Sequence, residues 1–94
     1  MPKITLRLMF GPLRSLTGLE ELTIEAEEFK EILDNLSRKY GEQVYEIFFS
    51  KNGSPHPFNH IIIDGKTYTV QEALNMKFKE DKTIYLWPAL DGGV

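Results

Sequence analysis

The sequence contains no cysteine among its 94 residues. This absence excludes a disulfide framework, a cysteine-based zinc or iron–sulfur site and a thiol nucleophile. Long apolar runs are also missing, since no stretch approaches the roughly 20 residues that cross a bilayer. The first residues have neither the apolar stretch nor the small-residue cleavage site of a signal peptide. We therefore expect a cytoplasmic protein with no membrane partner.

Positive charge is scarce as well. Eleven lysines and arginines face 14 aspartates and glutamates, which gives a formal net charge of −3. No basic run is present that would follow a phosphate backbone, so nucleic acid is not an expected partner. The two histidines, His56 and His60, are separated by Pro57 in a loop-to-strand segment. That segment lacks the helical spacing that lets two histidines share a metal ion, and we predict no metal site.

Two alternating segments open the chain. Ile4, Leu6, Leu8 and Phe10 lie on one face of a predicted strand, as the period of two residues requires. A second strand follows over residues 21–26, and the short connection indicates an antiparallel hairpin. The connection itself is predicted to be a loop that carries Arg14 and closes at Gly18.

A change of period to 3.6 residues predicts one long amphipathic helix, from Ala26 to Tyr40. Acidic residues near its start and basic residues near its end suit the helix macrodipole. Gly41 stands where a left-handed residue commonly ends a helix. The next segment, 44–49, is apolar and fits either a helical turn or a short strand.

The second half of the chain reads as short strands and turns. After a predicted surface loop from Lys51 to Phe58, the β-branched run at 60–63 predicts a strand buried on both faces. Asp64-Gly65 predicts a hairpin turn. The capping-box spacing of Thr69 and Glu72 predicts a helical turn over residues 70–75. The last predicted strand is 83–87.

These elements predict a two-layer α+β domain in which one main helix lies across one sheet. The N-terminal hairpin and the last strand can share a mixed sheet, and that arrangement is the β-grasp, or ubiquitin-like, roll. We expect the domain to occupy residues 1–88. Pro88 is expected to stop the last strand because it lacks a backbone N–H. Residues 89–94 then form a tail.

The tail Ala89-Leu90-Asp91-Gly92-Gly93-Val94 is thin, and paired glycines keep it flexible enough to enter a narrow channel. In the strand before it, Ile84 and Leu86 alternate with Tyr85 and Trp87. If the first pair packs on the helix, the second pair faces outward and becomes a candidate surface for docking a partner.

Several segments in order resemble the small ubiquitin-like sulfur carriers, of the type of the molybdopterin synthase small subunit and the thiamine-biosynthesis carrier. The matching segments are the first strand ending at Phe10, Leu13–Gly18 with its arginine, Phe58–Gly65, Glu80–Pro88 and the glycine-ended Ala89–Gly93. Together they cover nearly the whole chain. Each motif is short, and the resemblance depends on their order and spacing.

The resemblance implies that the protein is not an enzyme and binds no cofactor of its own. In such carriers, an ATP-dependent adenylyltransferase of the ubiquitin-activating type adenylates the terminal glycine carboxylate, and a sulfur donor then leaves a thiocarboxylate. The sulfur passes to a partner such as the large subunit of molybdopterin synthase, in molybdenum or tungsten cofactor synthesis. Here that glycine would be Gly93, with Gly92, Asp91 and Leu90 as the tail. The residues that we expect to dock the partners are Trp87, Tyr85, Pro88 and Arg14.

The sequence departs from the family pattern in three places: Val94 follows Gly93, Glu80 stands where the family commonly has a turn glycine, and the loop from Lys51 to Phe58 has no counterpart that we can place. Either a protease removes Val94, or activation occurs on an unusual terminus, or the protein does not carry sulfur; our working hypothesis is a carrier that is trimmed to Gly93. Two alternatives remain open, a ubiquitin-like protein modifier and a non-catalytic β-grasp interaction module with an inert tail. Arg14 either pairs with a carboxylate or braces the tail, or it serves only the surface structure.

Overall fold

A computed structural model describes residues 1–9, 11–55 and 59–88 of the chain. Phe10, His56 and the tail 89–94 lie outside the described residues. The elements in chain order are β1 (Lys3–Leu8), α1 (Pro12–Thr17), β2 (Glu21–Glu25), α2 (Phe29–Tyr40), α3 (Gln43–Phe48), β3 (Asn59–Ile63), β4 (Lys66–Tyr68), α4 (Val70–Leu74) and β5 (Lys82–Pro88).

The five strands form one mixed sheet in the order β2-β1-β5-β3-β4. β1 runs parallel to β5, and the other three pairings are antiparallel. This topology confirms the predicted β-grasp roll. Because the parallel strands β1 and β5 end at the same edge of the sheet, the chain leaves β5 beside the end of β1.

The core lies between one face of the sheet and α2. From the sheet come Ile4, Leu6, Leu8, Ile61, Ile63, Ile84 and Leu86, and from the helix Phe29, Ile32, Leu33 and Leu36, all of them buried. Each large aliphatic or aromatic side chain buried in this way contributes about 1.5–3 kcal/mol relative to exposure. Burial of this set is what holds α2 against the sheet.

Helix α2 begins with a capping box formed by Glu28 and Glu31. The carboxylate of Glu31 accepts the backbone N–H of Glu28 at 3.3 Å, and this reciprocal bonding satisfies N–H groups that the helix itself leaves unpaired. At the other end Gly41 has φ 95° and ψ 175°. Its φ is positive, but the predicted left-handed helical cap is wrong because its ψ is extended.

The predicted loop before Gly18 is instead a short helix, α1. Pro12 stands at the start of this helix, where its missing N–H costs no hydrogen bond. Leu13 is fully buried and so fixes the helix on the core. Gly18 ends the helix in the left-handed conformation, with φ 73° and ψ 12°, and its N–H bonds to the carbonyl of Arg14 at 2.7 Å.

The ambiguous segment at 44–49 resolves as a helix, α3. Val44 and Phe48 are buried on one side of it. The ring of Phe48 meets that of Phe29 edge to face, with centroids 6.1 Å apart. Aromatic pairs favour this geometry because the positive edge of one ring faces the negative face of the other.

The β-branched run of β3 predicted a strand buried on both faces, and this prediction is wrong. Ile61 and Ile63 are buried, whereas His60 is exposed and Ile62 is only half-buried. The helices that pack on the sheet cover one face of it, so alternate residues of β3 remain on an open face. The following turn is confirmed, and both Asp64 and Gly65 have positive φ.

Pro88 does not lie outside the last strand. The strand β5 includes it, and its backbone position is in register with Asn59 of β3. A proline is tolerated there because it is the final residue of the strand and need not donate to a continuing ladder.

The helical turn after β4 is confirmed. Thr69 Oγ1 accepts the N–H of Glu72 at 3.1 Å, and the Glu72 carboxylate accepts the N–H of Thr69 at 2.8 Å.

Candidate docking face and tail exit

Strand β5 presents two opposite faces, as its alternation predicted. Ile84 and Leu86 have no exposed surface, whereas Tyr85 and Trp87 are 39% and 43% exposed. The two aromatic side chains therefore lie on the open face of the sheet, and they belong to the strand that continues into the glycine-ended segment.

The neighbours of this aromatic pair follow from the strand register. Tyr85 lies between Arg7 of β1 and Ile62 of β3, and Trp87 lies opposite His60 of β3. Arg7 and Ile62 bring aliphatic carbon beside the tyrosine ring, because the stem of a long charged side chain can cover apolar surface. We call the set Ile62, Tyr85 and Trp87 the aromatic face.

A charge pair borders the aromatic face on the β2 side. Nη1 of Arg7 donates to Oε1 of Glu21 at 2.8 Å, across the hairpin. Both side chains are about half exposed, so the pair contributes at most about 1 kcal/mol. The buried Nε of Arg7 has no hydrogen-bond partner among the described residues. The alternating charges of the two strands could have shown this pair, since Arg7 and Glu21 face each other in the predicted hairpin.

Arg14 lies at the edge of the sheet where β1 and β5 end together. Its Nε donates to the carbonyl of Leu8 at 2.6 Å. One residue further along, the N–H of Met9 donates to the carbonyl of Leu86 at 3.2 Å. The guanidinium thus holds α1 to the end of β1, one strand away from the exit of β5. This placement keeps a positive charge near the end of β5.

The structure brings three of the predicted docking residues to one end of the sheet. Tyr85 and Trp87 lie on the open face, and Arg14 lies at its edge. For Pro88 only the backbone position is described. The predicted tail residues, namely Leu90, Asp91, Gly92, Gly93 and Val94, lie outside the described residues.

Two other polar groupings lie away from this face. The phenol of Tyr45 donates to the carboxylate of Asp34, and this bond lowers the pKa of Asp34 and raises the pKa of Tyr45 to about 12. A hydrogen bond of 2.7 Å from Lys82 to Asp64 raises the pKa of the lysine. The sequence offered no signal for the Asp34–Tyr45 bond, which joins two separate helices.

Within residues 1–9, 11–55 and 59–88, no three acidic or histidine side chains converge as metal ligands would. His60 lies on the open face, and His56 is outside the described part of the chain. None of the helices that the structure describes is both long and apolar enough to span a membrane.

No protein-family model matches the chain, and no curated protein matches it. Solved structures do match. The chain is similar to small archaeal modifier protein 1 (SAMP1) from Methanosarcina acetivorans, with 25% identity and a TM-score of 0.76 over 99% of this chain and 98% of that chain. It is also similar to a putative molybdopterin converting factor, subunit 1, from Pyrococcus furiosus, with 14% identity and a TM-score of 0.64 over 96% and 100% of the two chains.

A third similar structure is CysO from Mycobacterium tuberculosis, described as an antigen. It shares 17% identity and a TM-score of 0.72 over 93% of this chain and 99% of that chain. In each comparison the similarity extends over nearly the full length of both chains. These similarities confirm the predicted ubiquitin-like β-grasp fold, and in that fold the chain resembles each of these small proteins.

Proposed function

We propose that the protein is a sulfur carrier whose Gly93 carboxylate, once Val94 has been removed, is adenylated and converted to a thiocarboxylate. One observation carries the proposal: the strand that leads into Gly92-Gly93 displays Tyr85 and Trp87 on an open sheet face. The structural likeness to SAMP1 supports the activation step, which a sulfur carrier would share with a protein modifier. In this role the protein is a substrate of other enzymes rather than a catalyst.

The chemistry of the proposal is an acyl transfer at the chain end. The Gly93 carboxylate attacks the α-phosphorus of ATP and releases pyrophosphate, which leaves an acyl adenylate. A sulfide or persulfide donor then attacks the acyl carbon, and AMP departs with the C–O electron pair. A persulfide donor additionally needs a thiol to cleave its S–S bond. ATP is the co-substrate of the adenylyltransferase, and this chain contributes only the carboxylate and the surface that positions it.

The aromatic face supplies the recognition in this proposal. Tyrosine and tryptophan are the side chains that most often dominate binding energy at interfaces, because they bury a large area with few rotatable bonds. Tyr85 and Trp87 would dock on the adenylyltransferase and later on the enzyme that accepts the sulfur. Arg14 and Pro88 would set the direction in which the chain leaves the docked domain.

The acceptor that we propose is the large subunit of a molybdopterin synthase. Support comes from the full-length likeness to a protein named as subunit 1 of a molybdopterin converting factor. The same mechanism also needs a protease that cleaves after Gly93, since an internal glycine has no free carboxylate.

A second candidate function is a ubiquitin-like protein modifier. The likeness to a protein named as a small archaeal modifier favours it. Activation would be the same, but the adenylated carboxyl would end in an isopeptide bond to a lysine of another protein. A third candidate, an interaction module with an unprocessed tail, is favoured by the presence of Val94 after Gly93.

The experiment that separates these functions compares the full chain with a chain ending at Gly93. Each is incubated with an adenylyltransferase of the ubiquitin-activating type, ATP and sulfide. A carrier gives a thiocarboxylate only from the chain ending at Gly93. A modifier is activated in the same way and, unlike a carrier, also gives lysine conjugates in lysate. An interaction module gives no pyrophosphate release from either chain.

A further inference from the structure

Strand β2 forms one edge of the sheet, and among the described residues only β1 pairs with it. Two hydrogen bonds show which of its residues point toward β1. The N–H of Leu8 donates to the carbonyl of Glu20 at 2.8 Å, and the N–H of Ala26 donates to the carbonyl of Pro2 at 3.1 Å. In an antiparallel ladder hydrogen-bonded pairs alternate along the strand. Even-numbered residues of β2 are therefore the ones bonded to β1.

It follows that Leu22 and Ile24 use their backbone groups within the sheet, whereas Glu21, Thr23 and Glu25 direct theirs outward. The outward groups recur every second residue, about 7 Å apart. None of them has a hydrogen-bond partner in the described part of the chain. An open ladder of this kind is a template on which another extended chain can pair.

A groove runs beside this open edge, between β2 and α2. It is lined by Leu22, Thr23, Ile24 and Glu25 of the strand and by Asn35, Leu36 and Lys39 of the helix. Leu22 and Ile24 are only half-buried, and each packs against the core from its edge. The side chains of an added strand that point toward α2 would cover Leu22 and Ile24 and complete their burial.

The charges along the edge define what kind of strand fits. Glu21 and Glu25 are both exposed on the open face of the sheet. Glu21 already pairs with Arg7, whereas Glu25 has no ion pair among the described residues. A second copy of β2, paired antiparallel about Thr23, would set Glu21 against Glu25 of the other copy. Like charges directly opposite each other destabilise a strand pair, so the charges oppose pairing between copies and favour a basic strand.

We propose that the open edge of β2 binds an extended segment of a partner protein in which aliphatic side chains alternate with lysine or arginine. The aliphatic side chains enter the groove beside α2, and the basic side chains lie beside Glu21 and Glu25. Backbone bonds to Glu21, Thr23 and Glu25 provide the pairing, as in other cases of strand addition. This site is separate from the aromatic face and requires no processing at Gly93.

The test is a titration of the isotope-labelled full chain with a synthetic peptide of alternating valine and lysine, followed by NMR. We expect the amide signals of Glu21, Thr23 and Glu25 to shift and to gain protection from hydrogen exchange. The amides of Leu22 and Ile24, already bonded to β1, should gain little protection. A peptide of the same composition with its valines grouped together should bind more weakly, because it cannot place one residue type on each face.

Three variants sharpen the test. Thr23→Pro removes an outward N–H without removing a bond to β1, and we expect it to weaken peptide binding about three- to tenfold. Glu25→Lys should weaken binding of the valine–lysine peptide and strengthen binding of a matched valine–glutamate peptide. Glu46→Lys makes the same charge change at an exposed position of α3 and should leave binding unchanged.

The proposal is overturned if the peptide shifts only the aromatic face, if Glu46→Lys weakens binding as much as Glu25→Lys, or if the chain dimerises through β2 instead. None of these outcomes depends on whether Gly93 is adenylated. Failure here would therefore leave the proposed carrier function untouched, and failure of that function would leave the β2 site standing.

Discussion

The phenol of Tyr45 on α3 donates a hydrogen bond to the carboxylate of Asp34 on α2. The two residues are 11 positions apart, and their bond joins helices that also meet through the rings of Phe29 and Phe48. Tyr45→Phe removes the hydroxyl but keeps the ring against that of Phe49, with the two ring centroids 6.1 Å apart. We expect the variant to lose about 1 kcal/mol of unfolding free energy in urea. Tyr40→Phe is the control, because the Tyr40 hydroxyl has no hydrogen bond within the described residues, and its stability should be nearly unchanged.

The same bond predicts how stability changes with pH. The pKa of Asp34 is lowered from 3.8 by the bond from Tyr45, so its contribution is present above pH 3.8 and is lost as pH falls through the lower folded pKa. The pKa of Tyr45 is raised from 10.0 to about 12, so its contribution is present below pH 10.0 and is lost as pH rises toward 12. The stability difference between the wild type and Tyr45→Phe should therefore be greatest between these limits. A difference that stays constant from acid to alkali would contradict the assignment.

Substitutions on the aromatic face should weaken binding of the adenylyltransferase without destabilising the fold. Trp87→Ala should weaken binding of the adenylyltransferase by tenfold or more, because a half-exposed tryptophan on an open face is available to a partner. Leu86→Ala, one residue earlier, removes a fully buried side chain and should cost about 2–5 kcal/mol of stability. Both variants, made in the chain ending at Gly93, are compared by urea unfolding and by their KM in pyrophosphate exchange with the adenylyltransferase. Equal losses of binding and stability in Trp87→Ala would count against a docking role.

Arg14 offers a test of position against charge. Arg14→Lys keeps the positive charge but removes the Nε that bonds the Leu8 carbonyl at 2.6 Å. We expect it to lose about 1 kcal/mol of stability. Arg14→Gln removes the charge as well, and it should weaken partner binding further if that charge pairs with a carboxylate of the partner. Identical partner affinity in the two variants would restrict Arg14 to a structural role.

The sheet and main helix were predictable because their signals are local and repeated. The alternation of β1 and β5 places Ile84 and Leu86 inside and Tyr85 and Trp87 outside, and the structure agrees. Arg7 and Glu21 could have been paired from the predicted hairpin alone. The prediction of secondary structure failed where a segment that packs on the core is too short to show a hydrophobic period.

Helix α1 is the example of such a failure, since its six residues contain one buried side chain, Leu13. The β-branched run of β3 misled for a different reason. Its composition reports the preference of the residues for a strand, but burial depends on what covers each face, and the helices cover only one. The Asp34–Tyr45 bond depends on the angle between two helices, which no local pattern encodes.

The intact mass of the protein isolated from its native host reports both the removal of Val94 and the thiocarboxylate at Gly93. We predict a chain that ends at Gly93 and, in a fraction of the molecules, a further rise in mass equal to the difference between one sulfur and one oxygen atom. That rise should disappear when the host lacks its adenylyltransferase of the ubiquitin-activating type. A protein that retains Val94 under every growth condition, with no sulfur-bearing form, would contradict the proposed carrier function.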